Sequence, residues 1–256
     1  MQEAAMNAYG VVVNSFNELE HGCVTEYRKA VQKKVWAIGQ VSLFNRMSLD
    51  KFERGKKTSI NEQQCLKWLD SMEQRSISYA CLGSLCRLGS SQLIELRLGL
   101  EASQQPFIWV VKASNQRAND ELENCFSKHN FEERIKGRGL LIKGWAPQVL
   151  IISHPTIKGF LTHCGWNSTL EAIGVGVGVE VPVRWGEEWK LGVLVKKEEI
   201  EESIDMLMND REEGEERRMR NRQLAEMARK EVEDGGSSNL DMSFLAQDIL
   251  EHLNQQ

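Results

Sequence analysis

Apolar residues along this chain alternate between two patterns. Short, nearly unbroken runs rich in β-branched and aromatic residues fall at 9–16 (YGVVVNSF), 34–39 (KVWAIG), 77–82 (ISYACL), 107–111 (FIWVV), 140–142 and 159–162 (GFLT). Runs of this length and composition read as buried strands. Between them apolar positions recur at helical spacing. Helices are expected over 18–31, over a short segment closing at 65–69, over 90–102 with Leu93, Leu96 and Leu100 on one side, over 147–152 with Pro147 at the favoured first position, and over 167–173. The stretch between the fourth and fifth runs reads as a loop. Strands without internal polar alternation, separated by helices, predict an α/β fold with a parallel sheet covered on both faces.

The end of the chain has a different texture. Residues 196–229 are dense in charge, yet Ile200, Ile204, Leu207 and Met208 keep helical spacing, so amphipathic helices with a solvated face are expected. Gly235-Gly236-Ser237-Ser238 stops that pattern and starts a last helix with Leu240, Phe244, Ile249 and Leu253 on one side. The charged, small-residue segment Asp50-Lys-Phe-Glu-Arg-Gly-Lys-Lys-Thr-Ser has the composition of an exposed linker and marks a boundary.

Composition adds exclusions. With 256 residues, 41% hydrophobic and 27% charged, the chain has the make-up of a globular protein. A net charge of −5 argues against a surface built for nucleic acid. No apolar run reaches the roughly 20 residues of a membrane span. The first ten residues lack a basic segment followed by an apolar one, so no signal peptide is expected. The six cysteines form no C-x-x-C pair, which points to free thiols in the cytoplasm and away from a disulfide scaffold or zinc.

The chemistry concentrates in residues 145–171, WAPQVLIISHPTIKGFLTHCGWNSTLE. A strand there runs through His163-Cys164-Gly165-Trp166-Asn167-Ser168 into a helix. A strand feeding a helix N-terminus through a glycine turn leaves backbone N–H groups facing outward, where the helix dipole favours an anion. Gly165 allows close approach of a ligand. Asn167 and Ser168 add short donors, and His163 adds a donor or cation. Trp145 follows another strand end, where its indole can stack on a base. Glu171, one turn into the helix, can accept a pair of ribose hydroxyls. Taken singly, Trp145 reads as core, Asn167 as a helix cap, and Asn167-Ser168-Thr169 as a sequon without meaning in the cytosol. Together the groups suit a base, a ribose and a diphosphate. Glycines 174, 176 and 178 do not fit G-x-G-x-x-G, so no second nucleotide loop is read.

This stretch closely resembles the signature of plant UDP-glycosyltransferases of secondary metabolism, which opens W-A-P-Q and continues to H-C-G-W-N-S-x-x-E. Here those residues are Trp145 to Gln148 and His163 to Glu171. The resemblance extends to YGVVVNSFNELE, QQCLKWLD, the loop Gly83-Ser84, LGLEAS, FIWVV, VRWGEE, AEMARK and GGSS, and is nearest to the branch that glucosylates flavonoids, triterpenoids and hormones. It implies the Rossmann-like C-terminal half of a two-domain GT-B fold. Residues 1–40 would be the remnant of an N-terminal acceptor-binding domain, 41–60 a linker, 61–238 the UDP-sugar domain, and 239–256 a C-terminal helix that crosses back onto the first domain.

The resemblance also implies roles. Trp145 stacks on uracil and the Ala146 backbone bonds its edge. Gln148 and Glu171 hold the ribose. His163, Asn167 and Ser168 hold the diphosphate, with Gly165, the Trp166 backbone and Ser84 nearby. No metal or other cofactor is needed. The reaction implied is displacement of UDP from the sugar, glucose foremost, by a hydroxyl of a small metabolite such as a flavonoid, with inversion.

The chain departs from the pattern twice. It begins late in the first domain, and none of His21, His129, His154 or His252 has the context of the catalytic histidine, so no catalytic residue is assigned. After Ile173 it passes to Gly174-Val-Gly-Val-Gly-Val-Glu-Val, where the resemblance implies a missing strand, helix and sugar grip; the domain is expected to be shortened near 173–174. Two outcomes are open: a UDP-sugar enzyme, or an inactive shortened product that binds UDP or associates with a full-length relative. With most of the first domain absent, the apolar side of the last helix is expected to lack a full partner and to favour association.

Overall fold

The computed structural model describes residues 8–44, 60–83, 88–180 and 194–254, the side chains of 179 and 180 excepted. The expected parallel sheet is present. Its strands are β3 (Ile77–Ala80), β4 (Phe107–Val111), β5 (Gly139–Lys143), β6 (Ile157–Leu161) and β7 (Gly178–Glu180), in the order β5-β4-β3-β6-β7 with every pair parallel. A separate parallel pair joins β1 (Gly10–Val13) to β2 (Lys34–Ala37).

Ten α-helices accompany these strands among the described residues: α1 (Cys23–Val31), α2 (Glu62–Asp70), α3 (Ser90–Ala102), α4 (Gln116–Lys128), the short α5 (Phe131–Arg134), α6 (Gln148–Ile152), α7 (Trp166–Val175), α8 (Lys197–Met208), α9 (Glu212–Val232) and α10 (Ser237–Leu253). No described helix is long and apolar enough to cross a membrane.

The sheet divides the core in two. Phe107, Trp109, Val111, Ala80 and Leu161 point to one face, where α3, α4, α5 and α8 cover them. Ile77, Tyr79, Ile108, Val110, Ile142 and Phe160 point to the other, under α2, α6 and α7. Alternating strand residues are buried on both sides, which is why these strands read as continuous apolar runs. A Cβ on Gly99 of α3 would lie 2.6 Å from Ile200 of α8, so the glycine lets the two helices cross closely.

Several expectations shift. Residues 112–139 are not an open loop: Ala118, Leu122 and Phe126 give α4 a buried side, and Asn115 caps it by accepting from the Ala118 N–H at 2.9 Å. Charge over the rest of α4 hid that spacing. Pro147 is the N-cap of α6 rather than its first residue. The helix expected over 18–31 begins only at Cys23, after turns through residues 17–22. After residue 173, where the shortening is expected, the chain continues without a break. α7 runs on to Val175, Gly176 ends it at φ +73°, and Gly178-Val-Glu then forms β7, which pairs with β6.

The β1–β2 pair is held by α10 through polar anchors. Asp241 accepts from the Arg28 guanidinium at 2.7 Å and from the Ala37 N–H at 2.7 Å. As expected, the apolar side of α10 is uncovered among the described residues, from Leu240 at 46% exposed to Leu253 at 62%. Among the described residues, no disulfide joins the cysteines.

Phe131 is fully buried between Trp109 and Phe126, with ring centroids 6.4 and 5.0 Å away. Phe131→Ala should lower the unfolding free energy by about 3–5 kcal/mol, read from the midpoint of urea denaturation at unchanged slope.

Candidate functional site

Strand order reverses between β3 and β6: the chain builds outward through β4 and β5, then returns to the other side of β3. In an open parallel sheet, the crevice at such a point opens beyond the carboxyl ends of the strands. The residues that follow those ends here are Cys81 to Gly83, Lys112, Gly144-Trp145, and Thr162 to Gly165. All but the last group line one cavity of about 330 Å³, together with Gln148, Asn167, Ser168 and Glu171.

The turn from β6 into α7 is tightly determined. Cys164 sits at φ +52° and Gly165 is the N-cap, which supplies no capping side chain. The His163 ring lies between the backbones of Gly83 and Gly165. A Cβ on Gly165 would stand 2.5 Å from its Nε2, and one on Gly83 would overlap its Cε1. Gly83 also adopts φ +79°, which favours glycine. Burial holds the imidazole below its usual 6.5, so at neutral pH it is uncharged. α7 has no acidic residue in its first turn to compete with an anion for its positive end.

On the other wall, Trp145 is half-buried beside the buried Ala146. Gln148 reaches from α6 to α7, donating to Glu171 Oε2 at 2.8 Å and to Ser168 Oγ at 3.2 Å. Gln148, Ser168 and Glu171 therefore form one hydrogen-bonded group. Asn167 is not a cap, since that position belongs to Gly165. Its Oδ1 accepts from Asn14 Nδ2 at 3.1 Å. Trp166 is 46% exposed, and its indole N–H donates to the Asn14 carbonyl at 2.8 Å, so its ring faces the β1 segment rather than the cavity. Ser84 lies outside the described residues.

Sequence reasoning missed Lys112 and Asn14. Lys112 brings a cation into the cavity directly after β4, a placement that the strand end itself signals. A histidine–carboxylate pair does exist: His154 Nε2 lies 3.1 Å from Asp70 Oδ1, with Nδ1 2.8 Å from Thr156. It precedes β6, at the amino ends of the strands and away from the cavity. Among the described residues, no three His, Cys, Asp or Glu side chains cluster closely enough to hold a metal.

Comparison with known proteins adds to this geometry. The family described as "UDP-glucoronosyl and UDP-glucosyl transferase" matches residues 41–185, more than half of the chain. UDP-glycosyltransferase 73C5 of Arabidopsis thaliana is 49% identical over 279 positions, covering 98% of this chain and 56% of that protein. The chain thus spans about half the length of the curated relatives it matches. The 279 positions exceed the 256 residues of the chain, so the relative carries residues inside the aligned span that have no counterpart here.

Among solved structures, Glycyrrhiza uralensis UGT73P12 complexed with glycyrrhetinic acid 3-O-monoglucuronide superposes with a TM-score of 0.82 at 30% identity, over 99% of this chain and 57% of that one. A UGT transferase from Siraitia grosvenorii in complex with UDP gives 0.77 at 29%, over 97% and 61%. The sheet is the Rossmann-like half of a GT-B fold. On the match over residues 41–185 and the plant relatives around it, this chain belongs to the UDP-glucoronosyl and UDP-glucosyl transferase family.

Proposed function

We propose that the cavity is the nucleotide half of a UDP-sugar donor site. Trp145 stacks on uracil, and the Ala146 backbone meets its edge. Glu171, oriented by Gln148, accepts the ribose hydroxyls. The diphosphate lies at the N-terminus of α7 against His163, Gly165, the Trp166 N–H, Asn167 and Ser168, with Ser84 nearby. The observation that carries this reading is the Gln148–Glu171 bond. It orients the Glu171 carboxylate in a cavity lined by Trp145 and by the first turn of α7, which supports its reading as the ribose acceptor. The UDP seen with the Siraitia neighbour supports the choice of nucleotide.

In the family reaction, an acceptor hydroxyl attacks the anomeric carbon, the bond to UDP breaks with inversion, and the helix terminus and His163 offset the leaving charge without a metal or other cofactor. Glucose is the sugar we favour, and a small plant metabolite such as a flavonoid the acceptor, in the cytoplasm. Residues 1–40 belong to the acceptor domain, 41–60 link it, 61–238 carry the donor site shortened near 173–174, and 239–256 form the closing helix.

For this polypeptide by itself we favour UDP binding without turnover. The described residues lining the cavity offer no histidine–aspartate pair to deprotonate an acceptor, a step worth roughly 10²–10⁴-fold in rate. We also propose that the exposed side of α10 makes the chain associate.

Calorimetry tests the site directly. UDP should bind, and Trp145→Ala should cost about 1–3 kcal/mol for UDP and uridine alike. Measurable transfer to a flavonol would sink the binding-only reading, while indifference to Trp145→Ala would sink the site itself.

A second expectation concerns pH. The free His163 titrates below 6.5, and a bound diphosphate favours its imidazolium. UDP affinity should therefore rise as pH falls toward the free-site value and level off below it, with uridine affinity flat. Without ligand the sign reverses: the unfolded chain takes up the proton first, near about 6.5, so the folded chain loses stability as pH drops below that point. His163→Gln should flatten both curves. A third expectation concerns α10: the thermal midpoint should shift with protein concentration, and Phe244→Ser should remove the shift.

A further inference from the structure

Asn14 lies in the turn after β1, more than 150 residues from α7, yet it touches the first two residues of that helix. Its carbonyl accepts the Trp166 indole N–H at 2.8 Å, and its Nδ2 donates to Asn167 Oδ1 at 3.1 Å. Its own amide is oriented by a group whose polarity is unambiguous. The Val41 backbone N–H is only a donor, and it bonds Asn14 Oδ1 at 3.1 Å. The amide oxygen must face Val41, so the amide nitrogen must face Asn167. That nitrogen is only a donor, so Asn167 must present its oxygen in return. The Asn167 amide is thereby turned with its acceptor toward Asn14, which leaves its two N–H donors for the cavity that Asn167 lines.

We propose that Asn14 is a positioning residue for the diphosphate: through the relay Val41 N–H to Asn14 to Asn167, it sets which edge of the Asn167 amide meets the anion. This rests on the reading that the diphosphate lies at the N-terminus of α7. A side-chain amide can turn over at little steric cost, and the wrong edge would aim a carbonyl oxygen at a phosphate oxygen. A donor contact would become a repulsion in the same space. The relay fixes the sign of that contact from a segment that does not itself line the cavity.

Asn14→Asp tests the relay in the full 256-residue chain. The variant keeps the shape and the acceptor for Val41, but it replaces the donor facing Asn167 with an acceptor. Asn167 should then turn its N–H groups toward residue 14. By calorimetry, UDP affinity should fall about tenfold or more while uridine, which lacks the phosphates, stays within about twofold. Because a carboxylate also repels a diphosphate directly, the same change is made in an Asn167→Ala background. There the further loss should shrink to less than about threefold.

Asn14→Leu removes the donor without adding charge, and it keeps the test intact if the aspartate variant fails to fold. It should lower UDP affinity about three- to tenfold with uridine again unaffected. Parallel loss of UDP and uridine would show that Asn14 only holds the β1 segment in place. A full loss persisting in the Asn167→Ala background would reduce the effect to charge. Unchanged UDP binding in both Asn14 variants, with Trp145→Ala still damaging, would overturn this relay alone. Absence of UDP binding by the unaltered chain would overturn the site reading and the relay together.

Discussion

The structure turns on the close approach of two strand ends around one imidazole. β3 and β6 are neighbours although four helices, short α5 included, and two strands separate them in sequence, and their carboxyl ends run into Gly83 and Gly165. Both glycines abut the His163 ring, and neither position leaves room for a Cβ. Shifting either backbone outward would widen the gap between the strands and lift the start of α7 off the cavity. The helix terminus, the Gln148–Ser168–Glu171 group and the reach from Trp145 to Asn167 all depend on that convergence.

Much of this was legible because a doubly covered parallel sheet prints itself as unbroken apolar runs. FIWVV sends Phe107, Trp109 and Val111 to one core and Ile108 and Val110 to the other, so no polar residue interrupts it. The site motif was legible for a related reason: its residues are close in sequence because one strand, one turn and one helix carry most of them. What stayed hidden had weaker local signals. In α4 only Ala118, Leu122 and Phe126 are buried, and polar residues between them mask the spacing. The strand β7 is only three residues, Gly178-Val-Glu, which carry little strand character until β6 offers them an edge.

Asn14 was illegible in principle. Its neighbours in sequence announce a strand end, and nothing in them refers to residue 167. The packing of Phe16 with Leu170, Ile173 and Ala228 brings the β1 segment against α7. This small apolar cluster explains why the first described residues stay with the donor half: Phe16 is fully buried there. The rest of the same segment is tied to α10 through Asp241. One flank of the β1–β2 unit is thus locked onto the donor site, while α10 on the other leaves Phe244 and Leu253 to solvent.

The uncapped start of α7 does not by itself mark an anion site. α3, α9 and α10 also begin without a side-chain cap. Asn61 and Asn115, by contrast, cap α2 and α4 in the ordinary way, and such a cap contributes about 1 kcal/mol. A glycine at the start of α7 gives up only about a few tenths of a kcal/mol against such a cap, as it does elsewhere, and the loss alone explains nothing. The difference lies in what surrounds the free terminus. A cap residue would have to project a side chain from position 165, and His163 already fills that space. The same packing that excludes a capping side chain at position 165 holds a neutral imidazole beside the helix terminus. At this end of the sheet the steric requirement of the fold and the chemical requirement of a diphosphate are met by the same glycine.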